Sequence, residues 1–311
     1  MILAEFLSAA IDRLKAAGID NPGLDARLLF GYALGLDRAQ LLSQSQRILT
    51  DDEAAILDAL IVRRGKYEPV ARIIGKREFW DLQFGLNEAT LEPRPDSEIL
   101  IEAVLSSFRR KPESSGERPR VKESSAAAAA TLDSGFRRND EIKILDLGTG
   151  TGCLLLSLLH EWKDATGVGI DIAPRAVEQA TQNAVALRLN NRATFRVGNW
   201  LEGITDKFDV IISNPPYIAA DVIPVLMPEV RNHDPIHALD GGEDGLTAYR
   251  FLIPQLKDFL NPQGVMAFEV GIGQARQIAD LFRQGGFTNI EIHKDLGGIE
   301  RCVSGSRLSP G

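Results

Sequence analysis

The 311-residue chain has little cysteine, little histidine and few aromatics: two Cys, four His and an aromatic fraction of 6%. Cys153 and Cys302 lie far apart, with no Cys or His at zinc-ligand spacing. That excludes a disulfide framework and leaves no recognisable metal site. Both thiols read as small buried hydrophobes in a reducing compartment. No apolar run approaches the roughly 18–20 residues of a membrane-spanning helix. The first residues, Met1–Lys15, carry Glu5 and Asp12 within a helical pattern and do not read as a signal peptide. A cytoplasmic chain without membrane association is expected. Positive charge is also in deficit, with 35 Lys and Arg against 43 Asp and Glu, a formal net charge of -8. A protein whose main partner is bulk nucleic acid needs the opposite balance, because its affinity comes from neutralised phosphates and released counterions. What is present is ordinary globular composition, 44% hydrophobic and 25% charged, in a length that suits two domains.

Residues 1–68 read as a small bundle of helices. Ile2, Leu3, Phe6, Leu7, Ala10, Ile11 and Leu14 share one helical face. Asn21-Pro22 opens a second helix through Leu29 and Tyr32. Thr50-Asp51-Asp52-Glu53 is a capping box before Ala54, Ile56, Leu57, Leu60 and Ile61. The pattern fits a packing domain and a substrate-recruiting domain equally. Residues 69–92 read as a β-hairpin linker, with apolar runs Val70–Ile74 and Phe79–Leu86 on either side of a turn at Gly75-Lys76. Asp96 is expected to cap the helix that runs through Ile99, Leu100, Val104 and Leu105.

Residues 109–141 break the pattern. They hold eight basic and six acidic side chains, a five-alanine run, and only Val121, Leu132 and Phe136 as large apolar residues. Such a segment buries too little surface to offset its ordering entropy and reads as a disordered, solvated insertion; a basic substrate-binding arm is the sharper reading. Without it the body of the chain is near -10. From Ile142 onward strands alternate with helices, at Lys143–Leu147, Thr166–Asp171, Thr194–Gly198, Phe208–Ser213, Val265–Val270, Ile290–Lys294 and Glu300–Ser304. Alternation of this kind means an α/β fold, a mainly parallel sheet with helices on both faces and ligands at the carboxyl ends of its strands.

The chemistry-bearing residues fall at those ends. Asp146-Leu147-Gly148-Thr149-Gly150-Thr151-Gly152 follows the first strand and opens a helix, where glycines let backbone approach a ligand closely. The spacing lacks both the dinucleotide G-x-G-x-x-G and a Walker lysine. Asp171 ends the next strand, where a carboxylate can accept hydrogen bonds from ribose hydroxyls. This pair resembles S-adenosylmethionine-dependent methyltransferases of the Rossmann-like class. Ser213-Asn214-Pro215-Pro216-Tyr217 follows the Phe208–Ser213 strand. The Asn214 oxygen and the Pro215 carbonyl can each accept one hydrogen of a planar NH2 group, and Tyr217 offers a face on which an amide or base stacks. N-P-P-Y is similar to the motif of enzymes that methylate adenine N6, guanine N2 or the glutamine amide. The four histidines, His160, His233, His237 and His293, are read as structural.

Further blocks choose among these. Glu68–Ala71, Gly75–Trp80, Pro93–Glu98, Asp240–Leu246, Phe268–Gly271 with Gln274, and Asp295–Arg301 resemble, in order, the signature blocks of the release factor glutamine methyltransferase family. The resemblance covers nearly the whole chain outside 109–141. It implies a Rossmann-like seven-stranded methyltransferase domain over 93–311, and methylation by S-adenosyl-L-methionine of the glutamine in a Gly-Gly-Gln motif of class I peptide chain release factors. It further implies a cofactor loop at Gly148, Thr149, Gly150, Thr151 and Gly152, a ribose-binding acid at Asp171 and an adenine-side aromatic at Trp200. Asn214, Pro215, Pro216 and Tyr217 would form the substrate-amide site, with Asn214 also touching the cofactor; Arg94 and Glu98 would order the site. A monomer that uses neither metal nor nucleic acid is expected. Three positions depart from the family pattern: Asn199 stands where an acid is common, Arg72 where an aromatic is common, and Asp234-Pro235 where Glu-Pro is usual. The rival readings are a ribosomal-protein glutamine methyltransferase, a nucleic-acid amino methyltransferase and a non-catalytic cofactor-binding module.

Overall fold

The computed structural model describes residues 1–108 and 141–307. The insertion expected at 109–141 therefore lies outside the described residues, except for Glu141.

The chain starts with α1 (Leu3–Ala16), α2 (Pro22–Leu34), α3 (Arg38–Ser43), α4 (Asp51–Gly65) and α5 (Val70–Ile74). These helices bury one shared core, built from Leu3 and Leu14 of α1, Leu29 and Phe30 of α2, Leu57 and Ile61 of α4, and Ile73 of α5. The capping box is present: Glu53 N–H donates to Thr50 Oγ1 at 3.2 Å, and Thr50 N–H donates to Glu53 Oε2 at 3.0 Å. Replacing an N-cap hydroxyl removes a partner for an orphan helical N–H, so Thr50→Ala is expected to cost about 1 kcal/mol. Urea unfolding followed by circular dichroism checks it.

The hairpin exists but is not where the apolar runs place it. Val70–Ile74 is helical, because Val70, Ile73 and Ile74 follow helical spacing and Gly75 ends the turn in a left-handed conformation, φ 76°. The two strands are β1 (Lys76–Phe79) and β2 (Leu82–Gly85), joined by Trp80 and Asp81 at φ 52° and 56°. Positive φ at both central residues is the two-residue turn whose twist matches antiparallel strands. Asp96 is no helix cap either. It lies in a 3-10 turn, Pro95–Ser97, before α6 (Glu98–Ser107), and its carboxylate pairs with Arg301 at 2.8 Å.

The remaining elements are β3 (Lys143–Leu147), α7 (Cys153–Glu161), β4 (Thr166–Asp171), α8 (Pro174–Ala186), β5 (Ala193–Val197), β6 (Phe208–Ser213), α9 (Pro228–His233), α10 (Thr247–Phe259), β7 (Leu260–Glu269), α11 (Ala275–Gln284), β8 (Thr288–Lys294) and β9 (Glu300–Ser306). Seven strands form one sheet in the order β5-β4-β3-β6-β7-β9-β8. The first five are parallel, and β9 runs antiparallel to both β7 and β8. Strand periodicity divides the core. Leu145, Leu147, Ile211, Met266 and Phe268 face Tyr249, Leu252, Ile253, Ile278 and Phe282 of α10 and α11. Ile144, Val210, Ile212 and Ala267 face the other way, onto Leu100, Val104, Leu155 and Leu158 of α6 and α7. Helices on both faces leave only the strand ends open to ligands.

Candidate active site

The chain runs from β3 outward to β4 and β5, then crosses back to place β6 on the other side of β3. The loops that leave the carboxyl ends of β3 and β6 therefore diverge from adjacent strands, which opens a crevice between them. Ser213 at the end of β6 donates its hydroxyl to Leu147 O at 2.7 Å and fixes the two strand ends together.

The loop after β3 is a backbone cradle. Gly148 and Thr149 N–H groups both donate to Ile170 O, each at 2.9 Å. Thr149 donates its hydroxyl to Asp146 Oδ2 at 2.6 Å, under the loop. Gly148 has φ 73°, and a Cβ there would meet the Trp200 ring at 3.5 Å; at Gly150, φ 55°, a Cβ would face open space. Asp171 accepts from Gly150 N–H through Oδ2 and from Ala173 N–H through Oδ1, both at 2.9 Å. It thus holds the loop's shape and keeps a further lone pair on each oxygen. Burial pushes the Asp146 carboxyl up to about 7, and its Oδ1 has no hydrogen-bond partner.

Gly148, Thr149, Gly150, Thr151, Asp171, Trp200, Asn214 and Pro216 line one cavity of about 250 Å³. A second cavity, of about 280 Å³, is lined by Asn214 and Tyr217 together with Glu269, Arg94 and Arg301. Asn214 lines both cavities and stands where they meet. Two of the expected site residues line neither. Pro215 is buried, and a Cβ on Gly152 would meet Phe195, Ala180 and Leu156, so Gly152 serves the packing of α7 rather than the crevice. His237, read as structural, is exposed at the rim of the first cavity.

Three features of the site were not visible in the sequence. The first is a buried chain of hydrogen bonds: Asn214 Nδ2 donates to Ser97 Oγ at 3.3 Å, Ser97 donates to Glu269 Oε2, and Tyr217 donates to Glu269 Oε1 at 3.2 Å. The available signal was one acid ending an otherwise apolar strand, Val265–Phe268. Burial pushes the Glu269 carboxyl up to about 7 and raises the Tyr217 phenol. The second is an ion-pair cluster. Asp234, at the end of α9, accepts from Arg72 and Arg94, each at 2.6 Å, and Arg72 also donates to Asn87 O and Thr90 O. Two of the three departures from the family pattern are thus one contact, which fastens α9 to the segment that walls the first cavity. Asn199, the third, lines that cavity. The third feature is a tie between the helical bundle and α9, where Arg64 of α4 pairs with Asp25 at 2.7 Å and with Glu229 at 3.2 Å. Glu98, expected to order the site, accepts from Trp80 N–H at 3.1 Å and secures the hairpin turn.

A glycine loop held at positive φ at Gly148 and Gly150, an aromatic face at Trp200 and acceptor lone pairs at Asp171 suit a nucleoside ligand. The sheet order and this crevice define a Rossmann-like methyltransferase that uses S-adenosyl-L-methionine, and a methyltransferase-domain family model matches residues 138–293. A solved structure, the hMettl16 catalytic domain with the MAT2A 3′UTR hairpin 6, shares the fold at TM-score 0.54 and 14% identity over 84% of this chain and 83% of that one. A second family model, the PrmC N-terminal domain, matches residues 5–75. The chain is 45% identical over its whole length to the release factor glutamine methyltransferase of Rhodospirillum rubrum, covering 87% of that relative. It is 44% identical over 96% of its length to the same enzyme of Bradyrhizobium diazoefficiens, covering 92%. It is also 37% identical over 97% of its length to the bifunctional methyltransferase of Rickettsia felis, covering 57% of that relative. The chain belongs to the release factor glutamine methyltransferase family.

Among the described residues no helix is long and apolar enough to cross a membrane, and no group of three or more His, Cys, Asp or Glu is placed to hold a metal ion.

Proposed function

We propose that the chain methylates the side-chain amide nitrogen, N5, of the glutamine in the Gly-Gly-Gln motif of class I peptide chain release factors, acting as a monomer in the cytoplasm. The observation that carries this reading is the place of Asn214. It is shared, with Arg94, by the loop-side cavity and the Tyr217 cavity, and Arg94 is held by Asp234, so Asn214 is the neutral polar residue at which a donor in one and an amide in the other meet. Gly148, Thr149, Gly150 and Thr151 would give backbone contacts to the cofactor, Asp171 its spare lone pairs to ribose hydroxyls, and Trp200 a face to adenine. S-adenosyl-L-methionine supplies an electrophilic methyl group when bound.

The protein's own task is alignment. An amide lone pair is conjugated with its carbonyl and attacks weakly. Asn214 Oδ1 and the Pro215 carbonyl would accept the two N–H groups, aim the nitrogen and stabilise the positive charge that grows on it. Tyr217 would cover one face of the amide, and Pro216 would close the wall between the cavities. The proton passes to water after transfer. Residues 1–68 would recruit the protein substrate, with the Arg64–Glu229 pair relaying their position to α9. Labelled S-adenosyl-L-methionine offered to a release factor, the same factor with its Gly-Gly-Gln glutamine changed to alanine, a ribosomal protein and DNA tests the reading. Label is expected only in the unaltered release factor; label in DNA alone would overturn it.

A further inference from the structure

Glu269 is 1% exposed and Ser97 3% exposed. A carboxylate so deeply buried is costly unless something compensates it. Among the described residues no cation pairs with this one. Arg301, the nearest in electrostatic effect, is engaged by Asp96 at 2.8 Å and Asp295 at 3.3 Å. Glu269 instead takes a hydroxyl on each oxygen, Ser97 on Oε2 and Tyr217 on Oε1.

Proton counting shows what this arrangement does. A serine hydroxyl has one hydrogen and two lone pairs. With that hydrogen given to Glu269, Ser97 can only accept from Asn214. The amide of Asn214 must then turn its Nδ2 toward Ser97, which is the bond observed at 3.3 Å, and its Oδ1 away. We infer that Glu269 is a positioning residue for methyl transfer, holding Asn214 through Ser97 with its side-chain oxygen toward the substrate amide. The inference rests on the proposed role of Asn214 as acceptor of a substrate N–H.

The device has a polarity that can be reversed. A protonated Glu269 donates to Ser97; the Ser97 hydrogen then turns to Asn214 Oδ1, and the amide presents Nδ2 to the substrate's own NH2. Two donors face each other and the site cannot align its substrate. Burial already pushes the Glu269 carboxyl up to about 7, so the reversal falls in an accessible range. The groups that face it are Tyr217 on the loop after β6, Tyr249 on α10, Asp96 and Arg94 ahead of α6, Arg301 and Cys302 on β9, and Cys153 on α7. Of these only Arg94 and Arg301 favour the ionised form by their charge.

The test is the pH profile of kcat, from pH 6 to 9, for the wild type, Ser97→Ala, Glu269→Gln and Ser97→Thr, with cofactor affinity measured in parallel. The wild type is expected to lose kcat on the acid side of a midpoint near 7. Ser97→Ala and Glu269→Gln are each expected to lower kcat at pH 8 by about 10- to 100-fold, the scale of a misaligned reactant. Both should lose the acid limb, with cofactor affinity unchanged. Ser97→Thr keeps the hydroxyl and should keep the limb. A normal kcat in Ser97→Ala would overturn the inference, and Ser97→Ala decides it if Glu269→Gln does not fold. So would an acid limb that survives in place in both variants, since that would assign it to another group such as Asp146. If Asn214→Ala is itself active, the acceptor role fails; if Asn214→Ala is inactive while Ser97→Ala is normal, only the relay fails.

Discussion

Asn214→Ala is expected to lower kcat for release-factor methylation by about 10²- to 10³-fold, the range seen when one preorganised hydrogen-bonding group is removed from an active site. The loss should appear in kcat, with the chain still folded and still binding cofactor. The loop's course does not depend on the Asn214 side chain. Ser213 holds its start to Leu147 O, Ile218 N–H donates to Leu239 O at 3.0 Å, and Gln274 Nε2 donates to Tyr217 O at 2.9 Å. The truncated side chain therefore leaves an intact frame with one acceptor missing. Single-turnover transfer of labelled methyl, with cofactor affinity from equilibrium dialysis, separates the two effects. A kcat within a few-fold of wild type, on the scale of an ordinary surface change, would remove Asn214 from the reaction.

Much of this frame could be read from the chain itself, because it depends on local periodicity. The apolar residues of Lys143–Leu147 and Phe208–Ser213 alternate between two core faces, and the glycine loop and N-P-P-Y follow those strands directly. The parts that escaped reading depend on distant partners. Ser97 and Glu269 are 172 residues apart, and Arg72 and Asp234 162 apart. No local pattern encodes either contact; sheet order and the docking of α9 create them. The hairpin is a different kind of miss. Its turn falls on Trp80 and Asp81 at positive φ, without the Asn-Gly or Gly-Gly signal such turns usually carry, while Gly75 attracted the turn by being glycine. Asp96 resembles a cap because acids commonly cap helices, yet Arg301, from the other end of the chain, claims it.

The same dependence on distant packing explains the glycine-rich block after α9, whose role is steric. Gly245 has φ 75°, and a Cβ on it would lie inside the contact radius of the Tyr217 carbonyl oxygen and 2.5 Å from Gln274 Nε2. A Cβ on Gly241 would meet Gly245 Cα at 2.8 Å, and Pro216 O and Tyr217 Cα at 2.9 Å. The backbone of residues 241–245 is therefore laid against the backbone of the N-P-P-Y loop, and neither side has a flexible end that can yield. Gly245→Ala is expected to push Tyr217 outward, break its bond from Gln274 and shift Asn214 from its position between the cavities. A displacement of that size should cost about 10²-fold or more in kcat. Left-handed strain alone costs about 1–2 kcal/mol for a residue with a Cβ. Gly35→Ala isolates that strain: Gly35 ends α2 at φ 65°, a Cβ there meets nothing within 4 Å, and it lies in the helical bundle. Gly35→Ala should lose stability with kcat intact, whereas Gly245→Ala should lose kcat out of proportion to its fall in Tm. Equal losses of stability with equal, normal rates would mean that the 241–245 backbone does not set the position of the N-P-P-Y loop.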